Sequence, residues 1–141
     1  LHKQIFFKGD NMKIMTFNIL HCMDYKTKKI IGAEVLSRLN SENDGVLTPK
    51  SFLSAVDSVG INEKFDYYIF EKNCKWISND KKQREGYKYT INFSRSTLCD
   101  PAFSERILSI ASKYGLNSSC LAVEILEDKN ITGLYGILFV F

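Results

Sequence analysis

The feature that most constrains the fold is a regular alternation between strand-like and helix-like stretches. Residues 29–39, 87–94 and 121–126 are rich in aliphatic, β-branched or aromatic side chains, and the last two alternate with period two. Such patterns are typical of strands. Patterns of helical period fill the intervals between them. Strand, helix and strand in this rhythm indicate parallel βα units, so we expect an α/β fold.

Three helices are predicted by their capping residues and apolar stripes. Thr48 and Asp100 each precede a proline, as an N-cap does, and predict helices over residues 49–59 and 101–114. Residues 63–78 form the remaining helix, whose aromatic stripe we assign to the core. The polar stretch that precedes the first helix is expected to be a loop, and a further strand is expected before the 29–39 strand.

Length and composition favour one globular domain. The chain has 141 residues, of which 45% are hydrophobic, and a net charge of +3 that is too small to indicate a nucleic-acid polymer as partner. Residues 137–141 form the longest apolar run, far short of the roughly 20 residues that span a membrane. Residues 1–10 lack the apolar region of a signal peptide, so we expect a cytoplasmic protein.

The four cysteines show no metal-binding spacing. Cys22, Cys74, Cys99 and Cys120 form no Cys-x-x-Cys pair. We therefore expect reduced thiols and no zinc site.

The strand over residues 29–39 carries charged side chains in apolar company. Glu34, Leu36 and Arg38 share one face because successive strand residues point to opposite faces. Aliphatic residues on both faces suggest a strand buried on both sides, where charges need a partner, a metal or a ligand. The alternative is a solvated ion pair at the surface.

Polar side chains at the ends of the other two strands extend this candidate site. If the apolar faces pack against helices, Asn92 and Glu124 point inward near the C-terminal strand ends, where (β/α) barrels form their sites. Two carboxylates and an amide oxygen suit Mg²⁺ or Mn²⁺. Taken singly, Asn92 could cap a turn, Glu124 could be an exposed edge residue and Arg38 could pair with a surface carboxylate.

The same residues resemble the motifs of EAL domains, a family of cyclic di-GMP phosphodiesterases. Residues 34–38 match Glu-x-Leu-x-Arg, residues 92–94 match Asn-x-Ser, and residues 124–127 match Glu-x-Thr-Glu except at Leu126. The resemblance implies a TIM-type barrel and metal-dependent hydrolysis of cyclic di-GMP to the linear dinucleotide pGpG. It also implies roles for six residues: metal ligands at Glu34, Asn92 and Glu124, substrate contacts at Leu36 and Arg38, and support of a catalytic loop by Glu127.

The chain departs from the family pattern towards both ends. Leu20 stands where the family has a glutamine that contacts the dinucleotide, and no Asp-Asp-Phe-Gly motif follows Gly133. A barrel of this type takes about 250 residues. We therefore expect roughly the first half of an EAL barrel at residues 25–133, a weakly matching strand region at 1–24 and an unrelated hydrophobic tail at 134–141.

Several consequences follow from a half barrel. We expect no general base within the chain and no hydrolysis by the chain alone. The alternative is a non-catalytic module that binds cyclic di-GMP or another protein. Open sheet edges are expected to promote self-association.

Residues 12–19 also resemble the opening strand of the endonuclease/exonuclease/phosphatase fold, in which the asparagine matching Asn18 lines a metal site.

Overall fold

The computed structural model of the chain describes residues 15–41, 45–81, 86–125 and 137–139. Within these residues strands and helices alternate after an initial hairpin. The elements are β1 (Met15–Met23), β2 (Ile30–Ser41), β3 (Gly45–Leu47), α1 (Pro49–Val59), α2 (Asn62–Ile77), β4 (Lys88–Phe93), α3 (Arg95–Leu98), α4 (Phe103–Lys113), a 3-10 turn (Ser118–Cys120), β5 (Leu121–Ile125) and β6 (Ile137–Phe139).

One sheet contains all the described strands. Their spatial order is β1-β2-β4-β5-β6, and β3 also pairs with β2. The β2–β4 and β4–β5 pairs are parallel, as the alternation of strands and helices predicts. The β1–β2, β2–β3 and β5–β6 pairs are antiparallel. The fold is thus a mixed α/β sheet whose centre is built from parallel βα units.

The two faces of the sheet differ in character. Alternate residues of the three parallel strands are buried on one face and form the core with α1, α2 and α4; they are Ala33, Val35, Tyr89, Ile91, Phe93, Leu121 and Val123. Phe93 is fully buried and contacts Phe103 edge-on, with ring centroids 5.1 Å apart. The aromatic stripe of α2 lies in this core, which confirms its assignment. The polar side chains of Glu34, Asn92 and Glu124 alternate with these core residues and therefore lie on the opposite face of the sheet.

Gly32 is required where β2 meets β4. A Cβ at this position would lie 2.5 Å from the carbonyl oxygen of Lys88, its partner in the parallel register. This distance is well inside van der Waals contact, so a residue with a side chain would force the two strands apart. The glycine therefore permits the close strand pairing that precedes Glu34.

Several elements differ from the sequence expectation. The stretch expected as a loop before α1 contains β3, and β2 continues to Ser41. A short helix, α3, follows β4, and Asp100 accepts a hydrogen bond from the Ala102 amide ahead of α4, so it is not the N-cap itself. We expected an open sheet edge beside β5. This expectation is wrong at the described positions, because β6 pairs there with Ala122, Val123 and Glu124.

Two other observations concern membrane-spanning helices and the state of the cysteines. Among the helices of the described residues, none combines the length and apolar character that a membrane crossing requires. The four cysteines are free thiols. Burial raises the pKa of Cys74 to about 12, so this thiol stays protonated at neutral pH.

Candidate functional site

The face opposite the core brings together the side chains predicted to form a site. Glu34 lies beside Val35, which is buried in the core, and therefore points to the other face of the sheet. Asn92 lies beside Phe93 in the same way, and its register partner on β5 is Glu124. Strands β2, β4 and β5 each contribute one of these polar groups. Asn92 and Glu124 lie one residue before the ends of β4 and β5, whereas Glu34 lies in the first half of β2.

Asn92 lies at the centre of this arrangement. Its Nδ2 atom donates a hydrogen bond to Oε1 of Glu34 over 2.9 Å. With Nδ2 directed at Glu34, the amide oxygen remains available as an acceptor or a ligand. The structure thus directly joins two of the three predicted ligands and places the third on the adjacent strand.

Among the described residues, the carboxylates of the site lack a compensating charge. Burial, together with the neighbouring negative charge of Glu34, raises the pKa of Glu124 above the ordinary value for a glutamate. Neither glutamate forms an ion pair with a lysine or arginine of the described residues. Two carboxylates that repel each other across an amide form a site that a cation would stabilise.

The donor set is compatible with a hard divalent cation and does not resemble a zinc site. The described residues contain no cluster of three or more His, Cys, Asp or Glu side chains able to hold a metal. The candidate set of Glu34, Asn92 and Glu124 instead combines two carboxylates and one amide. Oxygen donors of this kind suit Mg²⁺ or Mn²⁺, which usually keep several waters as additional ligands.

Arg38 lies on the same face of β2 as Glu34, four residues further along. At about 3.3 Å per strand residue, its Cα is about 13 Å from that of Glu34. Its Nη1 donates to the backbone oxygen of Ser37 over 2.8 Å, and within the described chain it contacts no carboxylate. The alternative of an ion pair with a surface carboxylate therefore finds no partner among these residues.

A cavity of about 180 Å³ opens beside the site, under α1. Its lining residues are mostly apolar, and they include Leu36, Phe52, Leu53, Phe65, Ile69 and Ile91. The polar residues of the lining include Glu34, Asn92 and Asp66. Leu36, predicted as a substrate contact, is thus part of the cavity wall. A cavity with apolar walls and a few polar groups is typical of a small-molecule site.

Sequence reasoning did not identify Asp66, which lies on α2 and is 8% exposed. Its Oδ2 atom accepts hydrogen bonds from the amide and the hydroxyl of Ser94 and from the hydroxyl of Thr97, over 2.8, 2.5 and 2.6 Å. The available signal was a single acidic residue within the apolar run of residues 65–70. A buried charge in such a run needs a partner.

Leu20 lies directly opposite Glu34 in the antiparallel β1–β2 register and is 58% exposed. Residues opposite each other in an antiparallel pair share a face, so a leucine borders the carboxylate at this position. His21 forms a hydrogen bond between Nδ1 and the hydroxyl of Tyr87 over 2.8 Å. It points to the other side of the hairpin.

Two predicted positions gain no side-chain description. Glu127, assigned to loop support, and Leu126 lie outside the described residues. The backbone of Asn18 pairs with Leu36 in β1, and the strand that contains it is antiparallel to β2.

Comparison with known families identifies the family of this chain. The EAL domain model matches residues 22–134 of the chain. The chain therefore belongs to the EAL domain family, as its motifs predict. It is 24% identical over 101 residues to the cyclic di-GMP phosphodiesterase PdeF of Escherichia coli K12, and 30% identical over 108 residues to the probable cyclic di-GMP phosphodiesterase PdeI of the same organism.

Solved structures confirm the fold. The EAL enzyme Bd1971, solved with cAMP and cyclic di-GMP bound, matches with a TM-score of 0.69 at 19% identity over 79% of this chain and 32% of that one. The PaMucR phosphodiesterase in complex with c-di-GMP matches with a TM-score of 0.67 at 16% identity over 77% of this chain and 44% of that one. The expected partial TIM-type barrel is thus confirmed.

The matched segment is only part of each relative. It spans 72% of this chain and 14% of PdeF, and 74% of this chain and 14% of PdeI.

Proposed function

We propose that this chain carries the first three metal ligands and part of the nucleotide-binding surface of an EAL-type cyclic di-GMP phosphodiesterase. Glu34, Asn92 and Glu124 would hold Mg²⁺ or Mn²⁺, while Leu36 and Arg38 would contact the substrate. Glu127 would support a neighbouring loop. Membership of a family whose relatives include cyclic di-GMP phosphodiesterases supports this reading.

The observation that carries the proposal is the hydrogen bond between Asn92 and Glu34, on a face where Glu124 also lies. Oxygen-bearing side chains from three adjacent strands share this face, and neither glutamate has a basic partner in the described chain. A purely structural polar cluster would instead be expected to neutralise its carboxylates with a lysine or arginine.

A bound divalent cation would neutralise phosphate charge and lower the pKa of a coordinated water. The side chains of this chain have distinct tasks around it. Asn92, held by its bond to Glu34, orients its amide oxygen, and Arg38 supplies a guanidinium that can bind a phosphate oxygen through paired hydrogen bonds. The apolar wall that includes Leu36 offers a surface for part of the nucleotide.

The proposal is tested by titrating the purified chain with Mn²⁺ in a calorimeter and then adding cyclic di-GMP. We expect saturable Mn²⁺ binding that is lost in Glu34→Ala and kept in Glu105→Gln, which removes an exposed charge on α4. Mn²⁺ binding that is equal in wild type and Glu34→Ala would overturn the proposed metal site.

Hydrolysis by the 141-residue chain alone is not expected. A carboxylate or other group within reach of the attacking water has to remove its proton, and no residue of this chain is proposed for that task. Chromatography of the nucleotide after incubation with Mn²⁺ tests this. Linear dinucleotide above the Glu34→Ala background would show that the chain contains a base.

A further inference from the structure

The buried carboxylate of Asp66 performs a task that its position on α2 does not by itself explain. It accepts three hydrogen bonds on one oxygen atom, all from the segment that leaves β4. Hydrogen bonds to a charged acceptor are stronger than those between neutral groups. The carboxylate therefore fixes both the backbone and the side chain of Ser94.

Ser94 follows Asn92 by two residues, and the residue between them is equally restrained. Phe93 is fully buried, with ring centroids 5.5 Å from Phe70 and 5.1 Å from Phe103. The Ser94 hydroxyl also caps α3 by accepting a hydrogen bond from the Thr97 amide over 3.4 Å. The end of β4 is thus held by the aromatic core on one side and by Asp66 on the other.

We propose that Asp66 is a positioning residue which, through Ser94 and Thr97, fixes the end of β4 so that the Asn92 side chain meets Glu34. This inference rests on the proposed function only in so far as Asn92 serves as a metal ligand. Outer contacts of this kind orient metal ligands, and their loss typically weakens metal affinity about 10- to 100-fold.

The Thr97 side chain is fully buried, and its hydroxyl lies 2.6 Å from Asp66 Oδ2 and 2.9 Å from the Ser94 hydroxyl. These groups form a closed cluster with a single negative charge at its centre. In Asp66→Asn, the side-chain amide would offer the same three donors one weaker acceptor oxygen. The segment from Ser94 to Thr97, which leads from β4 into α3, would therefore be less firmly held.

The variants Asp66→Asn and Thr97→Val test the proposal, with Thr97→Ser as the variant that keeps the hydroxyl. Asp57→Asn is the matched control, because Asp57 is exposed on α1 and lies outside the cluster. We expect the Mn²⁺ dissociation constant to rise about 10- to 100-fold in Asp66→Asn. In Thr97→Val it should rise about fivefold, as expected for one lost hydrogen bond.

A measurement without metal separates this inference from the proposed function. In the metal-free protein, NMR reports the exchange rate of the Asn92 side-chain amide, which donates to Glu34. We expect faster exchange in Asp66→Asn and Thr97→Val, and wild-type exchange in Thr97→Ser and Asp57→Asn. If wild type binds no Mn²⁺ but this pattern holds, the positioning role stands and the metal site fails. Wild-type Asn92 exchange in folded Asp66→Asn would overturn the positioning role.

Discussion

Replacing Glu124 by glutamine is expected to stabilise the metal-free chain. Glu34 on β2 lies opposite Thr90 on β4, whereas Glu124 on β5 lies opposite Asn92, so the Cα atoms of the two glutamates are two strand spacings apart and offset by two residues, about 12 Å. Coulomb's law at that distance gives a repulsion of about 0.3–1.4 kcal/mol for effective dielectric constants of about 20–80. We therefore expect a gain of about 1 kcal/mol at pH 7, or roughly 3 °C in Tm.

The pH dependence of this gain has a definite sign. The pKa of Glu124 is raised in the folded chain, so the folded state holds this proton more tightly than the unfolded state does. The favourable contribution of the protonated group is complete below the unfolded pKa, about 4.3, and is lost as pH rises through the folded pKa. The advantage of glutamine should therefore be present at pH 7 and absent below about pH 4.

Added Mn²⁺ should reverse the order of stability. At 100 times its dissociation constant, a ligand that binds only the folded state stabilises it by about 2.7 kcal/mol, which is roughly 8 °C here. The wild type should show this gain, and Glu124→Gln only a small part of it. Urea unfolding with and without Mn²⁺ measures both effects, with Glu105→Gln as the control. If metal-free Glu124→Gln is less stable than wild type, or if Mn²⁺ stabilises both proteins equally, the two glutamates neither repel each other nor share a metal ion.

Three further predictions follow from single positions. Gly32→Ala should destabilise the chain by about 1–3 kcal/mol in urea unfolding, because the new Cβ would meet the Lys88 carbonyl; a loss within experimental error would contradict the close approach. Asn73→Leu should stabilise by about 1 kcal/mol, because the Asn73 amide is fully buried without a hydrogen-bond partner among the described residues; lower stability would contradict this. Leu20→Gln should tighten cyclic di-GMP binding roughly fivefold, because it adds one hydrogen bond beside Glu34, and it should leave the Mn²⁺ affinity unchanged. Calorimetry that shows no tighter binding would argue against a nucleotide at this edge.

Much of the fold could be predicted because hydrophobic periodicity decides which face of each element is buried. The alternation over residues 87–94 placed Tyr89, Ile91 and Phe93 in the core and Asn92 on the opposite face, and the structure agrees. The parallel pairing of the central strands followed from the helices between them.

Short elements could not be predicted, because a stretch of three or four residues is too short to show a hydrophobic periodicity. β3 depends on pairing with the end of β2, and α3 depends on a cap by Ser94 and on hydrogen bonds to Asp66. The pairing of β6 with β5 likewise rests on a contact between segments distant in the chain.

The face that each candidate site residue occupies was predictable from side-chain parity. Glu34, Asn92 and Glu124 were assigned to one face by counting along each strand, and the family resemblance supplied their roles. Asp66 could not be assigned, because its task depends on a contact between residues 28 positions apart in the chain. Strand parity predicts which face a residue occupies, whereas the contact between Asp66 on α2 and the segment from Ser94 to Thr97 depends on how α2 packs against the sheet.

We propose that Glu34, Asn92 and Glu124 together bind one divalent cation. A crystal of the chain grown with Mn²⁺ and measured at a wavelength where manganese scatters anomalously locates the ion directly. We expect one strong anomalous peak on the polar face of the sheet, within bonding distance of a side-chain oxygen from each of the three residues. A peak that is absent there in crystals saturated with Mn²⁺, or one bound by other residues while the Asn92 amide still donates to Glu34, would contradict it.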